Sequence, residues 1–483
     1  MIDVNWLAFS PPLTLLISAS FIVIFALFVT DTRISAVLSL AGLLVSFSLT
    51  VVLFNQVQDT GMVSSFGLRY LADRMSLGFN MVIVLGAVIA ILISFDYLRR
   101  TGLEHPEYYP LILLSSTGAM VMAAAGDLIT LVLGLEIMSL AVYVLSAWRQ
   151  NSRESEEAGL KYFLLGAFAS AFFIYGIALT YGATGHFDYA GIAGVLGQDS
   201  FDQVRLATLA AMFLLTGLGF KVAFAPFHQW APDVYTGAPT AVTAFMSVVV
   251  KTGAFAGLVR LFTLLIPNIS AVFVQVLVVV LLLTMLIGNL AALQQRGIKR
   301  MLAYSAVAHA GYLGMAILAG NLAPSAIIWY LTAYTLMNTG AFAVLTLITD
   351  NQDHGDTLER VAGLGSKRPL LAATLTLFLL SLSGIPPLAG FTGKVLVFGA
   401  ALQTGYIYLG IVGILTSAVA VVYYFRPIIY MYFRDAEYEP INHTSPATYV
   451  AITIAALGTI LFGLLPGWWY ALLRGGEQLI ANM

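Results

Sequence analysis

Apolar residues fill this chain in segments of about 20 residues, set apart by short polar connections, from one end to the other. Hydrocarbon supplies no partner for backbone N–H and C=O groups, so segments of this length must be helices. Barrel strands run about half as long and alternate in polarity. The pattern predicts fourteen spans, near 11–30, 34–54, 75–95, 109–125, 127–147, 158–183, 204–225, 240–265, 270–292, 300–320, 325–349, 369–404, 406–433 and 447–466. Asp127 marks a tight turn between spans four and five. The reading is an all-α polytopic membrane protein, one integral membrane domain over 1–483, with no connection long enough for a separate soluble unit.

Two spans contain helix breakers. The seventh runs into Ala225-Pro226-Phe227-His228-Gln229-Trp230-Ala231-Pro232-Asp233, and the twelfth holds Gly384-Ile385-Pro386-Pro387-Leu388-Ala389-Gly390. Proline lacks the backbone donor and clashes with the preceding turn, so helices seven and twelve are expected to be broken. Interruptions at corresponding positions of two halves point to transporter architecture. They lie five spans apart, which predicts a first repeat over 109–265 and a second over 270–433, flanked by helices in 1–95 and 447–483. An odd number of spans per repeat turns the second unit upside down relative to the first.

Charge adds an orientation. Connections after odd-numbered spans carry Arg33, Arg99, Arg100, Arg149, Arg153, Arg296, Lys299, Arg300, Arg360, Lys367, Arg368 and Arg434, while the other side has little beyond Arg69, Arg74, Arg205 and Arg474. The positive-inside rule then places both termini outside. The first basic residue is Arg33, so the first span lacks the charged region of a signal peptide and reads as retained. Composition agrees: 60% of residues are hydrophobic and 10% charged, with mean hydropathy +0.91. A net charge of −2 gives no case for nucleic acid. The chain has no cysteine to ligate an iron–sulfur cluster, six scattered histidines and no nucleotide-binding glycine motif; Gly363-Leu-Gly365-Ser-Lys-Arg368 lacks the third glycine.

Against this background four charges stand out: Glu136, Lys221, Lys251 and Lys394, each within a hydrophobic stretch. A charge at the centre of an inserted helix costs roughly 2.5 to 3.5 kcal/mol, which points to ion or proton movement. Structural ion pairing or snorkelling is the plainer alternative; snorkelling suits Lys161, Arg260 and Arg426, near span ends, better than Lys251. Moving a carboxylate relative to a buried lysine changes its proton affinity by about 1.36 kcal/mol per pKa unit. Carrying a charge across 100 mV takes about 2.3 kcal/mol, so such changes have the size a pump needs.

Helical spacing aligns polar partners with these charges. Glu136, Ser139, Tyr143 and Ser146 share one face of span five, and Thr240, Thr243, Ser247 and Lys251 one face of span eight. Span ten offers Ser305, His309 and Tyr312, and span eleven Tyr330, Tyr334 and Asn338. His309 reads as a proton relay or as a neutral histidine hydrogen-bonded in the bundle. His228 at the first break reads as structural or as a weaker relay, and Asp233 as a turn or cap residue.

The stretch from Gly219-Phe220-Lys221 through Pro226-Phe227-His228-Gln229-Trp230-Ala231-Pro232-Asp233-Val234-Tyr235-Thr236-Gly237-Ala238-Pro239-Thr240, followed by Lys251-Thr252-Gly253-Ala254-Phe255, resembles the N subunits of bacterial NADH:quinone oxidoreductase, respiratory complex I. Ile298-Lys299-Arg300-Met301-Leu302-Ala303-Tyr304-Ser305 with His309-Ala310-Gly311-Tyr312, and Ser383-Gly384-Ile385-Pro386-Pro387 through Lys394, extend the resemblance over nearly the whole chain. It implies an antiporter-like proton-translocating subunit in a bacterial plasma membrane, with a polar axis in which Glu136 pairs with Lys221, Lys251 is the central relay and Lys394 the distal lysine. Lys161 matches a further, weaker family lysine. The resemblance places no cofactor on this chain and assigns FMN, iron–sulfur clusters and quinone to partner subunits of the redox arm. Its membrane partners are an M-type antiporter-like subunit and small membrane subunits. The alternative is a subunit of a stand-alone cation/proton antiporter, whose related wording after the first break differs from Pro226-Phe227-His228-Gln229-Trp230 here.

Overall fold

The computed structural model describes residues 4–29, 31–197, 201–436, 438 and 443–474. The chain ends at 1–3 and 475–483, on which part of the orientation reading falls, lie outside the described residues. Among the described residues, eleven helices are long and apolar enough to cross a membrane. In chain order the helices begin with α1 (Trp6–Ala26), α2 (Thr32–Thr60), α3 (Arg74–Thr101), α4 (Tyr108–Ala123), α5 (Leu128–Ser146), α6 (Arg153–Thr184), the short α7 (Tyr189–Leu196), α8 (Phe201–Val222) and α9 (Trp230–Gly237). Then come α10 (Thr240–Phe245), α11 (Lys251–Leu265), α12 (Ala271–Leu293), α13 (Ile298–Ile317), α14 (Ala323–Ile348) and α15 (Leu364–Lys367). The chain closes with α16 (Pro369–Ser383), α17 (Ala389–Gln403), α18 (Ile407–Phe433), α19 (Pro446–Leu464) and α20 (Gly467–Arg474).

The three predicted spans that are not among those eleven are the 16-residue α4, the polar-started α13 and the interrupted pair α16–α17. Both expected breaks are present. After α8, Pro226 lies within a non-helical bend over 223–229 and Pro232 in the first turn of α9; after α16, Gly384 at φ 90° ends the helix and Pro386-Pro387 delays the next until Ala389. A third discontinuity is new: Met246–Val250, between α10 and α11, forms a π-helical turn. It contains neither glycine nor proline, so no breaker announces it. Between α2 and α3 lies an antiparallel hairpin, β1 (Met62–Ser65) and β2 (Tyr70–Asp73), paired from Met62 with Asp73 to Ser65 with Tyr70. It closes over the α4–α5 turn through Leu71 N to Ala124 O, 2.7 Å.

Burial grades from centre to rim. α14 is buried along its whole length, and α3 and the 240–268 helix nearly so, whereas α1, α2 and α19 bury only a third or so of their most apolar windows. α3 lies against α4, α10, α14 and α19. The 240–265 helix is fastened to α3 at both ends. Asp73, the N-cap of α3, receives the fork of Arg260 at 2.9 and 2.8 Å, and Tyr97 near the other end of α3 reaches the amide of Thr240 at 3.2 Å.

Close approach of α4 and α5 requires glycine at their crossing. A Cβ on Gly118 would overlap the Met138 amide and lie 2.6 Å from the Gly134 carbonyl oxygen, both fixed backbone atoms. Gly118→Val is therefore expected to force the two helices apart at a cost of about 1 to 3 kcal/mol. The amount of folded protein recovered from the membrane should fall, while an exposed control such as Gly182→Ala, with open space around it, leaves it unchanged.

Candidate functional site

The second break and Lys394 complete one another. The last carbonyls of a helix lack intrahelical donors, and the Lys394 ammonium, on α17, donates to the Ser383 carbonyl at 2.8 Å and to Ser417 Oγ of α18 at 2.7 Å. Gly384 makes room for this return: a Cβ there would stand 2.9 Å from Lys394 Cδ. Lys251 is the first residue after the π-helical turn and donates to the Ala306 carbonyl of α13 at 2.6 Å. Lys221, Lys251 and Lys394 are 3%, 3% and 4% exposed, and His309 is 1% exposed.

Aromatic side chains fill the distance between Lys251 and Lys394. The Lys251 ammonium sits 5.0 Å from the Tyr334 ring, that ring 5.2 Å from His309, His309 5.6 Å from Tyr312, and the Tyr312 ring 5.6 Å from the Lys394 ammonium. Both imidazole nitrogens are engaged: Nδ1 with the Tyr330 hydroxyl at 2.7 Å and Nε2 with the Tyr424 hydroxyl at 3.2 Å. Tyr424 also meets Ser305, and the Tyr312 hydroxyl accepts from Asn289 at 2.9 Å. The stripe on the 240–265 helix leads to the same place, with Asn338 donating to Ser247 at 2.7 Å. The buried hydroxyls of Thr240, Tyr334 and Thr335 and Asn338 Oδ1 have no protein hydrogen-bond partner, so this interior has polar groups to serve water.

The first half differs from expectation at Glu136. Glu136 is half-buried and accepts a hydrogen bond from Ser170 at 2.6 Å; among the described residues it makes no ion pair with Lys221. The reason is the facing of α5, whose Leu133, Ile137 and Leu140 are exposed and carry Glu136 to the edge of the outward face. Tyr143 is interposed: its hydroxyl accepts from Lys221 at 2.7 Å, and the ammonium lies 4.5 and 5.0 Å from the rings of Tyr143 and Tyr162. His228 is half-buried in the bend after α8, where Trp230 Nε1 holds the Phe220 carbonyl at 2.9 Å and Thr284 accepts from the Ala225 amide at 2.8 Å.

Lys161 stands apart from this line. It is 40% exposed and held by Glu157 at 2.6 Å and Asp233 at 2.9 Å, with Arg300 on the other Asp233 oxygen at 2.8 Å. Asp233 is thus an ion-pair bridge in the first turn of α9. These side chains line a cavity of about 710 Å³ shared by Arg149, Lys299, Asp353 and Asp356. Connections after predicted spans three, five, seven, nine and eleven contribute to it.

Asp353 is the residue that sequence reasoning missed. It is 7% exposed, and its Oδ2 accepts from Tyr97 at 2.5 Å, Arg149 at 2.9 Å and the Thr240 amide at 2.8 Å, with Lys299 at 3.9 Å. Burial pushes the Asp353 carboxyl up, yet the charges of Lys299 and Arg149 and the hydrogen bonds together hold it below the ordinary carboxylate range. Its only signal in the chain was an acid in a polar connection opposite basic ones.

The comparisons bear on what this arrangement belongs to. The family described as NADH:quinone oxidoreductase/Mrp antiporter matches residues 125–420, from the start of α5 into α18. NADH-quinone oxidoreductase subunit N of Trichlorobacter lovleyi is 45% identical over 407 residues, 84% of this chain and 83% of that one. The chain belongs to the subunit N family of NADH:quinone oxidoreductases. A chain of respiratory complex I from Thermus thermophilus superposes with a TM-score of 0.83 at 35% identity, covering 96% of this chain and all of that one. A chain of the Mrp complex from Dietzia gives 0.83 at 21% identity, with coverage of 98% and 97%, and shares the fold.

Tyr143→Phe removes the hydroxyl that receives Lys221, a charge-assisted bond worth about 1.5 to 3 kcal/mol. In the assembled complex this variant is expected to slow proton-coupled turnover by about tenfold with normal assembly. Turnover equal to the parent would show that the hydroxyl does not matter to Lys221.

Proposed function

We propose that this chain is the antiporter-like, proton-translocating N subunit of a respiratory complex I, driven by electron transfer from NADH to quinone in partner subunits. The observation that carries the reading is the file of ring contacts Lys251–Tyr334–His309–Tyr312–Lys394 through the buried interior of the helix bundle. Three lysines within hydrocarbon are a standing cost that structure alone does not require. The imidazole of His309 has the Tyr330 and Tyr424 hydroxyls at 2.7 and 3.2 Å, and such groups accept and release protons; between the rings and the two lysines, transfer runs through water or side-chain movement.

In this reading Lys221, tuned by Glu136 through Tyr143, exchanges protons with one side, Lys251 is the relay between halves, and Lys394 exchanges with the other. His309 carries protons between the last two. Among the described residues no hydrogen bond or ion pair joins Lys221 to Lys251, so transfer between them runs through water or side-chain movement. Lys161 serves at the cavity mouth, as part of the Glu157–Asp233–Arg300 network, and His228 holds the bend. The two broken helices support inverted repeats over 109–265 and 270–433, with flanking helices over 1–95 and 447–483. The shared cavity of basic connections supports a cytoplasmic face there and termini on the periplasmic side.

FMN, iron–sulfur clusters and quinone belong to partner subunits in this reading; the described residues hold no group of three or more His, Cys, Asp or Glu suited to a metal. Glu136 and the exposed Leu133, Ile137 and Leu140 support a neighbouring membrane subunit against α5. The rival reading, a stand-alone cation/proton antiporter, draws on the fold shared with the Mrp chain. Sodium prefers carboxylate and carbonyl oxygen, whereas this interior presents ammonium groups, which favours protons.

Reconstituted complex with Lys251→Ala or Lys394→Ala is expected to pump fewer protons per electron while its NADH oxidation with an artificial acceptor persists. Glu136→Gln and Lys221→Ala should lower coupled turnover together. Unchanged stoichiometry in all four variants would remove the proposed axis. Purification of the chain in a cofactor-free assembly would favour the rival.

A further inference from the structure

We propose that Asp353 is a positioning residue for proton transfer, fixing from the connection after α14 the start of the helix whose middle carries Lys251. The inference rests on the reading of Lys251 as a relay. It goes beyond it by locating what holds that lysine in place.

Asp353 collects donors from four separate elements onto one oxygen: Tyr97 of α3, Arg149 after α5, the Thr240 amide that opens α10, and Lys299 of α13 at longer range. Thr240 follows Pro239, and its amide is one of the first-turn donors that a helix cannot satisfy internally. Across the same proline, Lys299 donates to the Ala238 carbonyl at 3.1 Å. Both peptide groups flanking Pro239 are therefore held by one ion-paired cluster. Arg149 additionally binds the Gln352 carbonyl, which ties the connection to the cluster independently of the carboxylate.

The other end of the helix is equally held, by Arg260 on Asp73 and on the Ala123 carbonyl at 2.9 Å. With Arg260 fixed, the segment between Thr240 and the π-helical turn at Met246–Val250, immediately before Lys251, depends on the Thr240 anchor. Releasing Thr240 lets that segment rotate or lengthen. The contacts that would change first are Lys251 to the Ala306 carbonyl and Ser247 to Asn338, since both lie within three turns of the released end. Asp353 touches neither lysine of the file, so its effect is exerted through the helix.

The test uses the intact complex carrying Asp353→Asn, Asp353→Glu or Tyr97→Phe. It reads pumped protons per electron in vesicles and hydrogen exchange of peptides covering residues 240–251, with peptides from α14 as internal standard. Expected are exchange over 240–247 faster by about tenfold and fewer protons per electron in Asp353→Asn, a smaller change of the same sign in Tyr97→Phe, and partial recovery in Asp353→Glu. A merely structural role lowers the amount of complex and leaves the stoichiometry of what assembles unchanged; that result overturns the proposal. If Asp353→Asn does not assemble, normal exchange and stoichiometry in Tyr97→Phe overturn it instead. Lys251→Ala separates the two levels: full pumping there removes the underlying reading, while lost pumping there beside normal Asp353→Asn removes only this one.

Discussion

Hydrocarbon gives a peptide group nothing to bond to, and both helix breaks described above are shaped by that fact. Where α16 stops, the Ser383 carbonyl takes a lysine, and the Gly390 amide beyond the break takes Ser381 Oγ at 3.1 Å. Where α8 stops, Trp230 and Thr284 receive freed groups. The ammonium groups need oxygen as much as the open carbonyls need donors, so breaks and buried lysines stabilise one another. That mutual need explains why Lys394 folds back on the end of its own broken span.

The rings around the lysines serve a second requirement. An ammonium in a dry interior is attracted to an aromatic face, a contact that strengthens as water is excluded. Tyrosine adds a hydroxyl that can give or take a hydrogen bond at the rim of that face. Tyr143, Tyr312 and Tyr334 each stand beside a lysine in this way. Two further tyrosines, Tyr330 and Tyr424, occupy both nitrogens of His309, so that the imidazole is oriented by its neighbours whichever tautomer it adopts.

The helices and the lysines were legible because each breaks a pattern: long apolar runs admit only helix, prolines interrupt it, and an ammonium in such a run has no ordinary explanation. Glu136 was legible as a charge but not as a position, since whether a helix face turns inward depends on what packs beside it. The π-helical turn left no trace, as Met246–Val250 contains neither glycine nor proline. Asp353 was hidden by ordinariness. An acid in a polar connection between helices is unremarkable until the fold buries it among Arg149, Lys299 and Tyr97. The β1–β2 hairpin was missed for a similar reason: its eight residues are too few to show alternation against the apolar spans around them.

The π-helical turn also has a geometrical meaning. A wider turn is an inserted residue wrapped into the coil, bonded i to i+5 in place of i to i+4. A rod anchored at Thr240 and Arg260 cannot slide as a whole. The surplus residue instead offsets the faces before and after the turn by about a quarter-turn relative to an uninterrupted helix. Lys251 is the first residue beyond that offset, so the direction in which its ammonium meets the Ala306 carbonyl is set by the turn as well as by the helix.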